Sequence, residues 1–210
     1  MLLYLIRHGQ SVRNVLADGP HDCALTQVGE RQAELTGAWL AGRGIQTLYC
    51  SPAIRTIQTA VAIGRALNLK PKVWDLLIEV GYLFEEPGLT GRELKENYPD
   101  VEIDGEFPAD TGWAAHITQE SWDELYARAC LLKEEIIKRH PMGSPPAAFV
   151  THAHVIRFLI GAFLEFGNPE HWKALFLQNN CGVTCVELRP DRCAIHFVNS
   201  HAHLGDLVTR

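Results

Sequence analysis

Two blocks of this sequence end apolar runs on residues that can do acid–base or nucleophilic chemistry. Leu2-Leu3-Tyr4-Leu5-Ile6 runs into Arg7-His8-Gly9, and Ala147-Ala148-Phe149-Val150-Thr151 runs into His152. A buried strand that delivers an arginine or a histidine to its carboxyl end puts it where open α/β sheets carry their chemistry. Two more positions share that placement: Arg55, just after Ser51-Pro52, and Glu79, which closes the run Val73 to Ile78. Taken singly, each has a structural reading. Arg55 can be an exposed helix charge, Glu79 a solvated loop residue, and either histidine a hydrogen-bonded core residue. Gathered on one sheet edge, two arginines, two histidines and a carboxylate form an anion site with a candidate nucleophile and a candidate acid.

The elements that must position them can be read from period and punctuation. Strands are expected at Leu2–Ile6, Ile45–Cys50, Val73–Ile78 (the weakest) and Ala147–Thr151, with Gly182–Leu188 and Ala194–Val198 flanking a hairpin turn at 189–192. Thr26 reads as the N-cap of a helix reaching towards Gly44, and Ser51-Pro52 as a cap residue followed by proline in the first helical position. Ser121-Trp122-Asp123-Glu124 matches a capping box, with Leu125, Ala129, Leu132 and Ile136 behind it at helical spacing; a last helix runs from about Val155 to Phe166. Strands alternating with helices predict a three-layer α/β/α fold, a mostly parallel central sheet with helices on both faces. From 80 to about 120 the periodicity fails apart from a short helical piece near Arg92 to Tyr98, so this stretch is expected to be a lid-like excursion from a single domain spanning 1–210.

Composition bounds the rest. A chain of 210 residues, 47% hydrophobic and 9% aromatic, is that of a soluble globular protein with one sizeable core. No apolar run approaches the roughly 18 residues needed to cross a bilayer, and the amino-terminal run is too short for a signal peptide, so a cytoplasmic protein with no membrane partner is expected. Six cysteines without a C-x-x-C pair read as small buried hydrophobes rather than a metal site or disulfides. The net charge of −6 argues against a nucleic-acid surface, and it requires that any anion be held by a local cluster of cations.

Three blocks then stand out together: Leu5-Ile6-Arg7-His8-Gly9-Gln10-Ser11, Ser51 to Ala60 around Arg55, and Val150-Thr151-His152-Ala153-His154-Val155-Ile156-Arg157. In this order they resemble the signature blocks of the histidine phosphatase superfamily, the phosphoglycerate mutase-like family. Weaker matches lie at Asn14, at Leu25-Thr26 with Gly29, at Asn180 to Thr184, and at Asn199 with His203-Leu204. The resemblance implies that His8 is a nucleophile that becomes phosphohistidine. It implies that Arg7, Arg55 and His152 clamp the phosphoryl oxygens with Asn14 nearby, and that Glu79 is the proton donor. It needs no metal and no other cofactor. Ala153 stands where the family usually has glycine, and its backbone N–H can still serve the phosphate. Glu85 and Glu86 lie close behind Glu79, and His154 and His116 read as structural.

Within such a family the same core performs hydrolysis or phosphate shuffling. A mutase must grip a second phosphate, yet the excursion carries Glu85, Glu86, Glu93, Glu96, Asp100, Glu102, Asp104, Glu106 and Asp110 against only Arg92 and Lys95. That balance favours a phosphomonoesterase acting on a small phosphorylated metabolite. A cofactor-dependent mutase-type phosphotransferase is the alternative, and a catalytically silent phosphate-binding module the second. Trp113, Phe107 and Tyr82 either wall the pocket or only pack the lid. Oligomeric state stays open, a homodimer being one reading.

Overall fold

In a computed structural model of the chain, residues 1–16, 18–81, 86–104, 107–115 and 117–210 are described. Seven strands form one sheet in the order β4-β3-β2-β5-β1-β6-β7. They are β1 (Leu2–Arg7), β2 (Thr47–Cys50), β3 (Lys72–Val73), β4 (Glu102–Ile103), β5 (Ala147–Thr151), β6 (Val183–Leu188) and β7 (Cys193–Ser200). β4, β3, β2, β5 and β1 run parallel, while β6 pairs antiparallel with both β1 and β7. The helices are α1 (Val12–Val15), α2 (Gln27–Leu40), α3 (Ile54–Leu67), α4 (Gly91–Asn97), α5 (Trp122–Arg139) and α6 (Ala153–Phe163). None of the described helices is long and apolar enough to cross a membrane.

The period of two along the central strands explains the three layers. Leu3, Leu5, Ala147 and Phe149 point to one face, where they meet Leu132 and Ile136 of α5 and Val155, Ile156, Leu159 and Ile160 of α6. Their neighbours Tyr4, Ile6, Ala148 and Val150 point to the other, against Leu40 of α2 and Ile57, Ala60 and Ile63 of α3. Strands buried on both faces read as continuous apolar runs, as β1 and β5 do. Each fully buried side chain of this kind contributes roughly 1.5–3 kcal/mol relative to exposure.

Three expectations change. The run Val73 to Ile78 is not a full strand: β3 stops at Val73, Trp74 adds one rung through its N–H to the Cys50 carbonyl (2.8 Å), and Asp75–Leu77 turn into a single 3₁₀ turn. Val73 faces one core while Trp74 and Leu77 fill the other, so apolar burial is met without an extended backbone. α3 is capped by Ala53 rather than Ser51, and Ser51 is fully buried with a different task. The excursion also rejoins the sheet, because β4 extends its edge beside β3. The capping box at Ser121 forms as read, with Ser121 and Glu124 exchanging hydrogen bonds.

The loop leaving β1 is held against the start of α2. Thr26 caps that helix through the Gly29 N–H (3.1 Å) and its hydroxyl donates to Gln10 Oε1 (2.7 Å), while the Gln10 N–H donates to Gln32 Oε1 (2.8 Å). The backbones meet so closely that a Cβ on Gly29 would lie 2.0 Å from the Gln10 carbonyl oxygen. Gly29→Ala is therefore expected to destabilise the fold by about 1–3 kcal/mol through overpacking. Urea denaturation measures this, and an unmoved midpoint would show that the loop does not depend on that approach.

Candidate functional site

β1 and β5 are neighbours, and their register pairs Arg7 with Thr151. The residues that follow, His8 and His152, thus leave the sheet side by side, with ring centroids 5.3 Å apart. The ladder continues one rung past the strand through the His8 N–H to the Thr151 carbonyl (3.0 Å). On the other flank the Arg7 N–H donates to the Gly182 carbonyl, and the Cys181 N–H lies within reach of both the Arg7 and His8 carbonyls. Cys181 adopts a left-handed backbone (φ 53°) to do so, a strained arrangement for a residue other than glycine.

Both imidazoles are buried, and their hydrogen bonds fix their tautomers. His8 Nδ1 lies 2.7 Å from the Gly9 carbonyl, which can only accept, so Nδ1 carries the proton and Nε2 keeps its lone pair. His152 Nδ1 lies 3.2 Å from an Arg55 guanidinium nitrogen, which can only donate. The proton of His152 is therefore on Nε2, which donates to Ser51 Oγ (2.9 Å). Burial pushes the pKa of His8 well below the ordinary histidine range, and the charges of Arg55 and Arg7 push the same way. His152 is pushed down by burial, then by Arg55, His8 and Arg7. Two neutral imidazoles thus stand among cations.

Backbone carbonyls anchor both guanidinium groups. Arg7 donates to the Gln178 carbonyl (2.7 Å) and Arg55 to the His21 carbonyl (2.6 Å). Burial pulls the pKa of Arg7 down to about 10, against the pull of Glu79. Asp22 stands next to Arg55: its Oδ1 accepts the Ile54 N–H (2.7 Å) and its Oδ2 the Trp113 Nε1–H (3.3 Å). Asn14 reaches the same edge on α1. Its Oδ1 accepts from the Ser11 N–H and hydroxyl and from Asn180, whose amide also donates to the His8 carbonyl. The Asn14 amide NH₂ is the half left for an anion. Ala153 opens α6, and the His152 side chain does not cap that helix.

Glu79 is buried, and its charge acts on both Arg7 and Arg55, which places it at the same edge. Burial opposes its ionisation. The nearby His154, the Val80 N–H and Arg55 outweigh that and hold its carboxyl below the usual range. All seven residues singled out from the sequence (Arg7, His8, Asn14, Arg55, Glu79, His152 and Ala153) are therefore brought together.

Several neighbours carry no local signal in the sequence. Ser51 reads as a helix cap but serves His152. Gln178 and Asp22 come from loops. Arg128 of α5 donates to the Leu76, Ile78 and Glu79 carbonyls (3.0, 2.8 and 3.4 Å) and makes a two-pronged ion pair with Glu120, which itself accepts the Gly81 N–H. That clamp fixes the segment bearing Glu79. His154, read as structural, lies with Nδ1 3.3 Å from Glu79 Oε2. Trp113 packs with Ala53, Ala114, Leu89 and Phe107, so it fastens the excursion to α3 rather than lining an open wall. Tyr82, Glu85, Glu106 and His116 fall outside the described residues.

A three-layer α/β/α sheet with neutral imidazoles and guanidinium groups at its carboxyl edge defines a phosphoryl-handling protein. The chain belongs to the histidine phosphatase superfamily (branch 1), whose family model matches residues 3–201. It is 34% identical over 187 residues to the 2,3-bisphosphoglycerate-dependent phosphoglycerate mutase of Thermoplasma acidophilum, covering 88% of this chain and 86% of that one. It is 28% identical over 211 residues to phosphoserine phosphatase 1 of Hydrogenobacter thermophilus, covering 97% and 94%. In fold it resembles mycobacterial glucosyl-3-phosphoglycerate phosphatase, with a TM-score of 0.69 at 24% identity over 95% and 99% of the two chains.

Neutral buried histidines make stability depend on pH. Because folding lowers the pKa of His8 and His152, the unfolded chain binds more protons below about pH 6.5, and the folded state loses stability as pH falls through that value. Each such group contributes a slope of about 1.4 kcal/mol per pH unit until it protonates in the folded state. Urea midpoints measured from pH 7.5 to 5 should fall for the native chain and fall less steeply for His152→Asn. Identical slopes would mean that His152 is not held neutral.

Proposed function

We propose that this protein is a metal-independent phosphomonoesterase that works through a phosphohistidine. The observation that carries the reading is the state of His8: neutral, its Nδ1 proton committed to the Gly9 carbonyl, and flanked by the charges of Arg7 and Arg55. An imidazole attacks only as the free base, and Nε2 is the nitrogen left to attack. Arg7, Arg55, His152, the Asn14 amide and the Ala153 N–H at the start of α6 hold the phosphoryl oxygens, where charge accumulates during transfer. Glu79 gives a proton to the departing alkoxide, and afterwards takes one from the water that attacks the phosphohistidine.

The substrate is a small phosphorylated metabolite. Charge at the mouth of the site favours hydrolysis over retention of a bisphosphate. Glu86 lies near enough to oppose ionisation of Asp22. Of the excursion's cations, Arg92 is engaged at the surface by Asp110 (2.6 Å). A second reading, phosphate transfer between positions of a bisphosphate, is favoured by Arg13 and Arg210, whose charges reach Arg55 and Arg7. The cytoplasm is the proposed place of action, in keeping with six free cysteines.

The test is hydrolysis of p-nitrophenyl phosphate with a chelator present, where activity should persist. His8→Ala should lose it by at least ~10³-fold. Glu79→Gln should slow an alkyl phosphate by roughly 10²–10⁴-fold and p-nitrophenyl phosphate far less, because nitrophenolate leaves without a proton. Full activity in His8→Ala, or equal losses on both esters in Glu79→Gln, would sink the assignments. With 3-phosphoglycerate and catalytic 2,3-bisphosphoglycerate, inorganic phosphate should outpace 2-phosphoglycerate. The reverse would establish the mutase.

A further inference from the structure

The carboxyl group of Glu79 has a difficulty of supply. It is almost enclosed, its side chain 8% exposed, and each catalytic cycle must load it with a proton and unload it again. An ionisable side chain with a path to water stands against it: His154, the second residue of α6. Its ring is 28% exposed and its Nδ1 stands 3.3 Å from Glu79 Oε2. The Trp122 ring backs the imidazole at 5.2 Å and is itself stacked on Phe158 at 5.6 Å, so the ring is held in place. From the other side, the Arg128–Glu120 clamp fixes the backbone of residues 76 to 81.

The geometry points to His154 as a positioning residue that passes protons between solvent and Glu79, so that the general acid is a carboxyl–imidazole couple sharing one proton. This deepens the proposed phosphatase mechanism and rests on it. In the first half-reaction, His8 Nε2 forms the N–P bond as the ester P–O bond breaks. The electron pair leaves with the alkoxide, which takes the Glu79 proton. His154 had lent that proton to Glu79 from its Nδ1–H before the step, and Glu79 stays ionised until water attacks. In the second half, water attacks phosphorus, its proton goes to Glu79 and out through His154, and the N–P electron pair returns to His8. The sum is ester plus water giving alcohol plus inorganic phosphate.

The charges around the couple fit this division of labour. Arg55 from α3 and Arg7 from β1 face Glu79 and favour its anion. The buried neighbours His8 and His152 are held neutral, so neither has a proton to lend. Arg128 and Glu120 are paired to each other on the α5 side, and Arg157 lies one turn further along α6. A carboxyl kept ionised by such surroundings is a poor acid alone. With the His154 imidazole against it, the carboxyl has a partner within reach with which to exchange a proton.

The test compares glycerol 2-phosphate with p-nitrophenyl phosphate across pH 5 to 9, for the native chain, His154→Ala and His154→Gln. His154→Ala should cut kcat on glycerol 2-phosphate by ~10-fold or more near pH 7.5, with KM within about twofold. The alkaline limb of its kcat profile should move to lower pH, and p-nitrophenyl phosphate should suffer far less. His154→Gln keeps a hydrogen-bond donor without a titrating proton, so it should restore positioning but leave the alkaline limb displaced. A native profile in His154→Gln, or equal losses on the two esters, would overturn the relay while leaving the phosphatase reading intact. Failure of the native chain to hydrolyse either ester would instead overturn the phosphatase reading, and the relay with it.

Discussion

The site depends on holding two guanidinium groups in a place with little water before any anion has arrived. Moving an ion out of water costs several kcal/mol even after relaxation, and a like charge nearby adds to it. The fold offsets this with oriented dipoles: the Gln178 and His21 carbonyls on Arg7 and Arg55, and Asp22 and Glu79 at the margin. It avoids adding to the charge by keeping His8 and His152 neutral. His8 spends one nitrogen on the Gly9 carbonyl, and His152 spends both, Nε2 on Ser51 and Nδ1 on Arg55. A candidate nucleophile and its candidate electrostatic clamp therefore arise from one constraint. The same cations that would grip a phosphoryl group keep the attacking nitrogen unprotonated.

Topology makes that concentration of charge possible. In a parallel pair the carboxyl ends lie at the same edge, and the β1–β5 register puts His8 beside His152 without help from a long loop. β6 runs the other way, so its beginning rather than its end meets the site, and the turn through Asn180, Cys181 and Gly182 closes over the Arg7 and His8 carbonyls. Glu79 has no such strand to ride on, since β3 ends six residues earlier. Its position is made by side chains: Thr151 Oγ1 on the Leu77 carbonyl at 2.6 Å, and Arg128 on the carbonyls around it. The candidate nucleophile His8 and His152 leave the ends of rigid strands, Arg55 sits on α3, and the candidate acid sits on a braced loop.

That difference also separates what was legible in the sequence from what was not. Arg7, His8 and His152 announce themselves because apolar runs with a period of two stop on them, and a sheet with helices on both faces sends such stops to one edge. The three-layer architecture was readable for the same reason. β3 was overread because Trp74 and Leu77 are as apolar as strand residues but are buried by a 3₁₀ turn; burial constrains the side chain, not the backbone that presents it. Ser51 was misread because a serine before a proline is a good local cap, and nothing local says that His152, 101 residues away, will claim its hydroxyl. Arg128, Glu120 and Asp22 lie outside the signature blocks for a similar reason. Their partners are distant in sequence, and a charged residue on an amphipathic helix looks solvated until its partner is placed. His154 was judged by its type and not by what it would face.

The excursion after Glu79 differs from the core in kind, and this bears on which reaction the core performs. In the proposed mechanism the core supplies a transferable phosphoryl group on His8 whatever happens next. Whether water or a second hydroxyl receives it depends on what the mouth of the site retains. Trp113 and Asp22 fasten the excursion to the start of α3 through an indole hydrogen bond and a small apolar cluster, beside the pairing of β4 with β3. The same carboxylate that makes that tether stands against Arg55, and Glu86 stands near it. A bisphosphate waiting to reorient would present its second dianion to these carboxylates, whereas an alcohol product carries no such charge and leaves freely. Arg13 and Arg210, whose charges reach Arg55 and Arg7, act in the opposite sense. The balance between hydrolysis and transfer is thus a contest of charges over a few ångströms at the rim, laid over chemistry that the two outcomes share.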